Sequence, residues 1–253
     1  MKKNTILITN DDGIAAPGLK ALAEVMQELG EITIVAPDSP QSGMGHAITI
    51  NSTLHLEHIT GFLNTNQAYT CSGTPVDCVK MAVHEIMKKK PTICVSGINH
   101  GSNSSINVIY SGTMSAAVEA GIEGIPSIGF SFCNYSWDAN FEPLKKYVKQ
   151  ITAEVLKKGL PNGVVLNVNF PNTDSIKGIK ICRQAKAIWE EEFDKRSNPM
   201  GKEYYWLTGN FVNHDKGEDT DEWALANGYI SIVPVHFDLT AYHAIQQLNN
   251  WDL

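Results

Sequence analysis

The residues with the most obvious chemical capacity are Asp11 and Asp12, placed directly after an apolar run over residues 5–9 and directly before Gly13. Two neighbouring carboxylates repel each other unless a cation lies between them. The loop after a strand is also where open α/β sheets bind ligands. On its own, Asp-Asp-Gly reads as a turn with solvated carboxylates. Three other loops supply groups that could meet it. Residues 37–43 (Pro-Asp-Ser-Pro-Gln-Ser-Gly) are rich in hydroxyls and include Ser42. Residues 96–101 (Ser-Gly-Ile-Asn-His-Gly) put Asn99 at a strand end, and Tyr110-Ser111-Gly112-Thr113 opens a helix. Two carboxylates, a hydroxyl and an amide oxygen form a hard, all-oxygen set. Such a set suits one divalent ion, Mg2+ or Mn2+, and not zinc or copper. A Ser-Gly-Thr helix start presents backbone N–H groups and hydroxyls to an anion, while serving equally well as a plain N-cap. The eight histidines show no metal-binding spacing, and His46 and His100 read as neighbours of the loops.

These loops need a frame, and the pattern supplies one. Residues 5–9 read as a buried strand, 17–29 as a helix with Leu19, Leu22, Met26 and Leu29 on one face, and 31–36 as a second strand. Thr74 caps a helix that has Pro75 at its first position and Asp77 three after the cap; it runs to Lys88-Lys89-Lys90, and Pro91 blocks it. A strand over 92–96, a loop over 97–111, a small-residue helix over 112–121, a strand over 126–132, a helix ending at Gly159 and a strand over 163–168 follow. Strand–helix–strand units imply a parallel sheet with right-handed crossovers. The expected fold class is α/β, a mostly parallel sheet flanked by helices. After residue 183 the pattern changes to a mixed-charge run with Tyr204-Tyr205-Trp206, read as an extended hairpin whose aromatics would stack on a base or contact another subunit. Residues 1–182 are thus the core, 183–215 the arm, and 216–253 a return strand and tail.

The 253 residues suit one large domain, and 43% hydrophobic with 19% charged residues is a globular composition. The net charge of -7 argues against a long nucleic acid as partner. There is no apolar run of spanning length, so no membrane partner is expected. The acidic pair cuts the first apolar run too short for a signal peptide, which implies a cytoplasmic location. The five cysteines lack CxxC spacing and read as buried free thiols.

Taken in order, these blocks resemble the survival protein SurE family of nucleotidases. The resemblance runs through Ile-Leu-Ile-Thr-Asn10-Asp11-Asp12-Gly13-Ile, Pro17-Gly18-Leu19, Val-Ala-Pro37-Asp38-x-x-Gln41-Ser42-Gly43 and Gly73-Thr74-Pro75-Val-Asp77. It continues through Ser96-Gly97-Ile-Asn99-His-Gly101-x-Asn103, Tyr110-Ser111-Gly112-Thr113 and Asp219-Thr220-Asp221 to Gly228-Tyr229-Ile-Ser231. Each block is weak alone, and the ordered set is specific. The resemblance implies a Rossmann-like domain, a divalent ion on Asp11, Asp12, Ser42 and Asn99, and release of phosphate from nucleoside 5′- and 3′-monophosphates. It also implies homodimers or homotetramers formed through a C-terminal arm. Two positions depart from the family pattern, Ser105 for a usual Gly and Asn107 for a usual Asp, which bears on substrate preference.

The expected mechanism is in-line attack by a metal-activated water. Asn103, Ser111, Gly112 and Thr113 would hold the phosphate, and Asn10 the water or the phosphate. An alternative gives Asp11 the role of nucleophile with Asp12 as its acid–base partner. Two other classes stay open at this point: a non-catalytic nucleotide-binding module on the same fold, and a structural oligomer.

Overall fold

The computed structural model describes residues 3–65 and 67–251. The chain opens with strand β1 (Thr5–Thr9), helix α1 (Pro17–Gln27), β2 (Glu31–Pro37), β3 (Leu56–His58), β4 (Ala68–Cys71) and α2 (Pro75–Met81). It continues with β5 (Ile93–His100), α3 (Gly112–Ile122), β6 (Ser127–Phe132), α4 (Lys145–Lys158), β7 (Val164–Phe170) and β8 (Gly178–Ile181). The last part holds β9 (Ala187–Glu190), β10 (Phe193–Ser197), β11 (Glu203–Leu207), β12 (Asn210–Asn213), α5 (Asp221–Ala226), β13 (Tyr229–His236) and α6 (Tyr242–Leu248).

Nine strands form one sheet in the order β3-β4-β2-β1-β5-β6-β7-β13-β8. The six from β4 to β7 are parallel, and β13 runs antiparallel to β7. The run β4-β2-β1-β5-β6-β7 has the Rossmann-like order, reversing direction between β1 and β5, and a crevice opens at such a switch point. Leu19, Leu22 and Met26 of α1 pack with Val148 and Ile151 of α4 on one face of the sheet. Val79 of α2 and Ala116 and Ala120 of α3 pack on the other. Burial of β1 and β2 follows from cover on both faces, as their unbroken apolar runs require.

Local signals explain several element ends. Thr74 and Asp77 form a reciprocal capping box at the start of α2. The helix expected to run on to the lysines instead passes into a π-turn over Ala82–Met87 and stops at Lys88. Strand β5 is longer than expected. Its pairing with β6 shifts between Ser96 and Asn99, and the Gly97–Ile98 peptide is cis. The glycine-rich sequence reads as loop, but the bulge lets the strand continue and re-aims Asn99. Short strands β3, β4 and β8 have too few residues to show a period. The tail expected after residue 239 contains helix α6, with Tyr242, Ile245 and Leu248 exposed.

The segment after β8 is a long antiparallel hairpin: β9 pairs with β12 at its base and β10 with β11 at its tip. Arg183 clamps this base. Its guanidinium donates to both oxygens of Asp215, at 2.6 and 3.0 Å, and to Asp219 at 2.8 Å. Asp221 is fully buried. Its carboxylate accepts from the backbone N–H of Ala185 (2.9 Å), Glu222 (2.9 Å) and Ser105 (2.7 Å). One side chain therefore joins the arm's entry, α5 and the loop after β5.

Replacing Asp221 with Asn turns an amide N–H toward a backbone N–H that has lost its acceptor. This is expected to cost about 1–3 kcal/mol in urea unfolding. An unchanged midpoint would show that this three-way tie does not hold the arm.

Candidate active site

The carboxyl ends of β1 and β5 frame a cavity of about 310 Å3. Asp11, Ser42, Asn99, Asn103 and Ser111 all line it. Sequence-distant loops thus bring five of the expected site residues to one place. A larger cavity of about 430 Å3 lies beside α4 and contains none of them.

Asp11 is buried directly against the start of α3. The Thr113 hydroxyl donates to its Oδ1, and the Thr113 backbone N–H also faces the carboxylate. Burial, together with the charge of Asp12 beside it, pushes the Asp11 carboxyl up to about 6 despite these hydrogen bonds. Gly112 makes the approach possible: a Cβ there would lie 2.7 Å from Asp11 Cβ and 3.0 Å from its Oδ2.

Asp12 faces away toward β5. Its Oδ2 accepts from the backbone N–H of His100 at 3.2 Å and from His100 Nδ1 at 3.0 Å. An ionised carboxylate only accepts, so Nδ1 carries the proton. The imidazole is buried, stacked on Trp137 at 5.2 Å and met edge-on by Phe141 at 5.1 Å. His100, read from the sequence only as a neighbour, fixes the orientation of Asp12. No spacing signal could have shown this, because the partners are 88 residues apart.

Asn99 directs its Nδ2 to the carbonyls of Gly101 (3.0 Å) and His100 (3.3 Å), which leaves Oδ1 for a ligand. Ser42 is exposed on a loop anchored at three points. Gln41 N–H donates to Asp11 O at 2.8 Å, Gly45 N–H to Tyr110 O at 3.2 Å, and His46 pairs with Glu119 of α3 at 2.8 Å. Glu119 also meets Lys80 at 2.5 Å. These two partners outweigh the effect of burial and hold its carboxyl below the usual range.

Other expected residues are engaged in shaping the loops. Asn10 closes its own turn, donating to Gly13 O at 2.9 Å and accepting from Gly13 N–H at 3.2 Å. The Asn103 side-chain amide donates to Ser131 Oγ and its backbone N–H donates to Asn169 Oδ1, both at 2.8 Å. Ser111 Oγ caps α3 by accepting from Met114 N–H at 3.0 Å. Thr113 serves Asp11, as above. Ser105, one of the two departures, is buried with φ +52, and its hydroxyl donates to Ala185 O at 2.8 Å. Asn107, the other, does line the cavity and accepts from the indole N–H of Trp189 at 2.8 Å. Tyr204, Tyr205 and Trp206 do not line these cavities; the arm contributes Trp189 to the cavity at Asp11, and Trp189 and Phe211 to the one beside it.

Among the described residues no group of three or more His, Cys, Asp or Glu gathers, so a thiolate–imidazole site is absent there. A buried carboxyl beside a second carboxylate, a spare amide oxygen and a hydroxyl fit a hard divalent cation.

The sequence model of the family described as survival protein SurE matches residues 6–191. A protein of Flavobacterium psychrophilum named 5′-nucleotidase SurE is 72% identical, over 100% of this chain and 99% of its own. One of Bacteroides fragilis with the same name is 47% identical, over 100% and 99%. The crystal structure of the SurE protein from Aquifex aeolicus superposes with a TM-score of 0.85 at 40% identity, covering 97% of this chain and 98% of that one. No helix of the described residues is long and apolar enough to cross a membrane.

Gly112→Ala tests the close approach of α3 to Asp11. Helix propensity favours Ala, so any loss reports the contact itself. The substitution is expected to destabilise by about 1–3 kcal/mol in thermal or urea unfolding. A gain in stability would contradict this packing.

Proposed function

The chain belongs to the survival protein SurE family, and on that premise we propose that it hydrolyses nucleoside 5′-monophosphates to nucleoside and phosphate, with 3′-monophosphates as further substrates. The observation that carries this reading is the meeting of Asp11, Ser42 and Asn99 in one cavity at the switch point, with Asp12 tied beside it. Asp11, Asp12, Ser42 and Asn99 would hold one Mg2+ or Mn2+. When bound, such an ion neutralises the carboxylate pair and the phosphoryl oxygens and lowers the pKa of water.

The protein's own groups do the positioning. His100 holds Asp12, and Thr113 holds Asp11. The phosphate fits against Asn103, Ser111 and the N–H of Gly112 at the start of α3, where helix geometry favours an anion. Asn10 acts through the turn it closes. The exposed Phe193, Leu207, Ile245 and Trp251 support a homodimer or homotetramer built through the arm and tail.

Phosphate release from AMP is expected to require Mg2+ or Mn2+, to stop with EDTA, and to fall at least about 100-fold in Asp12→Asn. Metal-independent release, or full activity in the variant, contradicts the assigned site. If no phosphoester is cleaved, a binding module is the better reading.

The same reading has a pH signature. The folded-state pKa of Asp11 lies above its ordinary value of 3.8. Its ionisation therefore destabilises the ion-free protein as pH rises through the window up to about 6. A cation that binds the ionised form reverses this penalty. Added Mn2+ is expected to raise Tm more at about pH 7.5 than at about pH 5. Equal shifts at both would count against Asp11 as a ligand.

A further inference from the structure

Three of the four proposed ion ligands are placed by the sheet itself. Asp11 and Asp12 follow β1 closely, and Asn99 lies within β5. Ser42 is placed differently. It stands on a stretch, residues 38–55, that contains no helix or strand. Ser42, Gly43 and Met44 are all exposed. Gly43 and Gly45 have φ +74 and +56, a region that glycine enters without strain. A segment of this kind gives up much conformational entropy if it is ordered only when a ligand arrives.

The loop is tied down in advance on both sides of Ser42. Leading in, Asp38 N–H donates to Cys71 O at 3.0 Å, and Gln41 N–H to Asp11 O at 2.8 Å. Leading out, the first side chain to reach another element is His46, whose Nε2 lies 2.8 Å from Glu119 Oε2. An ionised carboxylate only accepts, so Nε2 carries the proton. Further on, the Thr74 hydroxyl donates to Ala47 O at 2.7 Å, and Thr49 N–H reaches the Asp77 carboxylate at 3.2 Å. The residues that cap α2 thus also hold the far end of this loop.

Glu119 is a firm anchor. Its side chain is 4% exposed, and Lys80 of α2 pairs with its other oxygen at 2.5 Å. Charge-assisted bonds of this kind are stronger than neutral ones. The same helix, α3, offers the Thr113 hydroxyl to Asp11 near its start. From Thr113 to Glu119 the helix rises about 9 Å. One rigid element therefore meets Asp11 at one end and the Ser42 loop at the other.

We infer that His46 is a positioning residue for the ion: through Glu119 it registers Ser42 on α3, and so against Asp11, before the ion binds. The role presupposes the proposed ion site. Its loss falls on ion affinity, because the untethered loop must then be ordered by the ion. Trimming His46 leaves Glu119 paired with Lys80, so no lone charge is left buried.

The test is Mn2+ binding, read from the EPR signal of the free ion and needing no substrate. It compares the unaltered protein with His46→Ala, His46→Gln, Ser42→Ala and the double variant Ser42→Ala/His46→Ala. His46→Ala is expected to weaken Mn2+ binding about tenfold. The Tm of the ion-free protein is expected to move by at most about 3 °C. His46→Gln, whose amide N–H reaches the same carboxylate, recovers most of the affinity; a merely structural role for His46 would move Tm and leave affinity alone. In the Ser42→Ala background, loss of His46 has little further effect, because the tether acts through Ser42. Unchanged affinity in His46→Ala, or a loss that adds in full to that of Ser42→Ala, overturns the inference. If Asp12→Asn abolishes Mn2+ binding while His46→Ala leaves it intact, the ion site stands and the tether alone is refuted. If the unaltered protein binds no Mn2+, the ion site and the tether are refuted together.

Discussion

Two carboxylates on adjacent residues, one of them buried, repel each other and lose hydration together. Asp11 and Asp12 are in this position, and the surrounding structure is arranged around that constraint. The two side chains diverge. Asp11 turns to the start of α3, where the Thr113 hydroxyl and backbone N–H meet it, and Asp12 turns to β5, where His100 meets it twice. These donors do not remove the strain, since burial and the charge of Asp12 still push the Asp11 carboxyl up to about 6. The charge that remains at the switch point of the sheet is what the proposed cation would neutralise.

The fold meets the geometric side of that demand with loops from separate strands. The reversal of strand order between β1 and β5 opens the crevice. The bulge in β5 presents Asn99, and the anchored loop after β2 presents Ser42. The arm takes part as well, because Trp189 lies at its base and bonds to Asn107 beside the cavity. Asp221 and Arg183 fasten that base to the core. The arm therefore also forms a wall of the cavity.

Much of the frame was legible because it rests on local rules. The run over 5–9, the stripe Leu19-Leu22-Met26 and the Thr74–Asp77 box each announce their element within a few residues. The extension of β5 was not legible, since a bulged strand through Gly97 has the composition of a loop. Among the expected site residues, Asp11, Ser42, Asn99, Asn103 and Ser111 line one cavity, but the motifs do not show which other groups each one meets. Asn10 and Asn103 read as binders of phosphate or water, and in the structure their side chains bond to Gly13 and Ser131. His100 with Asp12, and Trp189 with Asn107, are pairs of distant residues that only tertiary structure joins. Tyr204, Tyr205 and Trp206 stand out by clustering in sequence, which says nothing about which face of the arm meets the core, and it is Trp189 that lines the cavity.

The central claim is that the acidic pair holds one divalent ion. The most direct measurement is an anomalous difference map from a crystal of the protein grown with Mn2+. The account predicts a single strong peak coordinated by the carboxylates of Asp11 and Asp12, the Asn99 amide oxygen and the Ser42 hydroxyl. A peak bound elsewhere, or carboxylates of Asp11 and Asp12 left without one at saturating Mn2+, would contradict it.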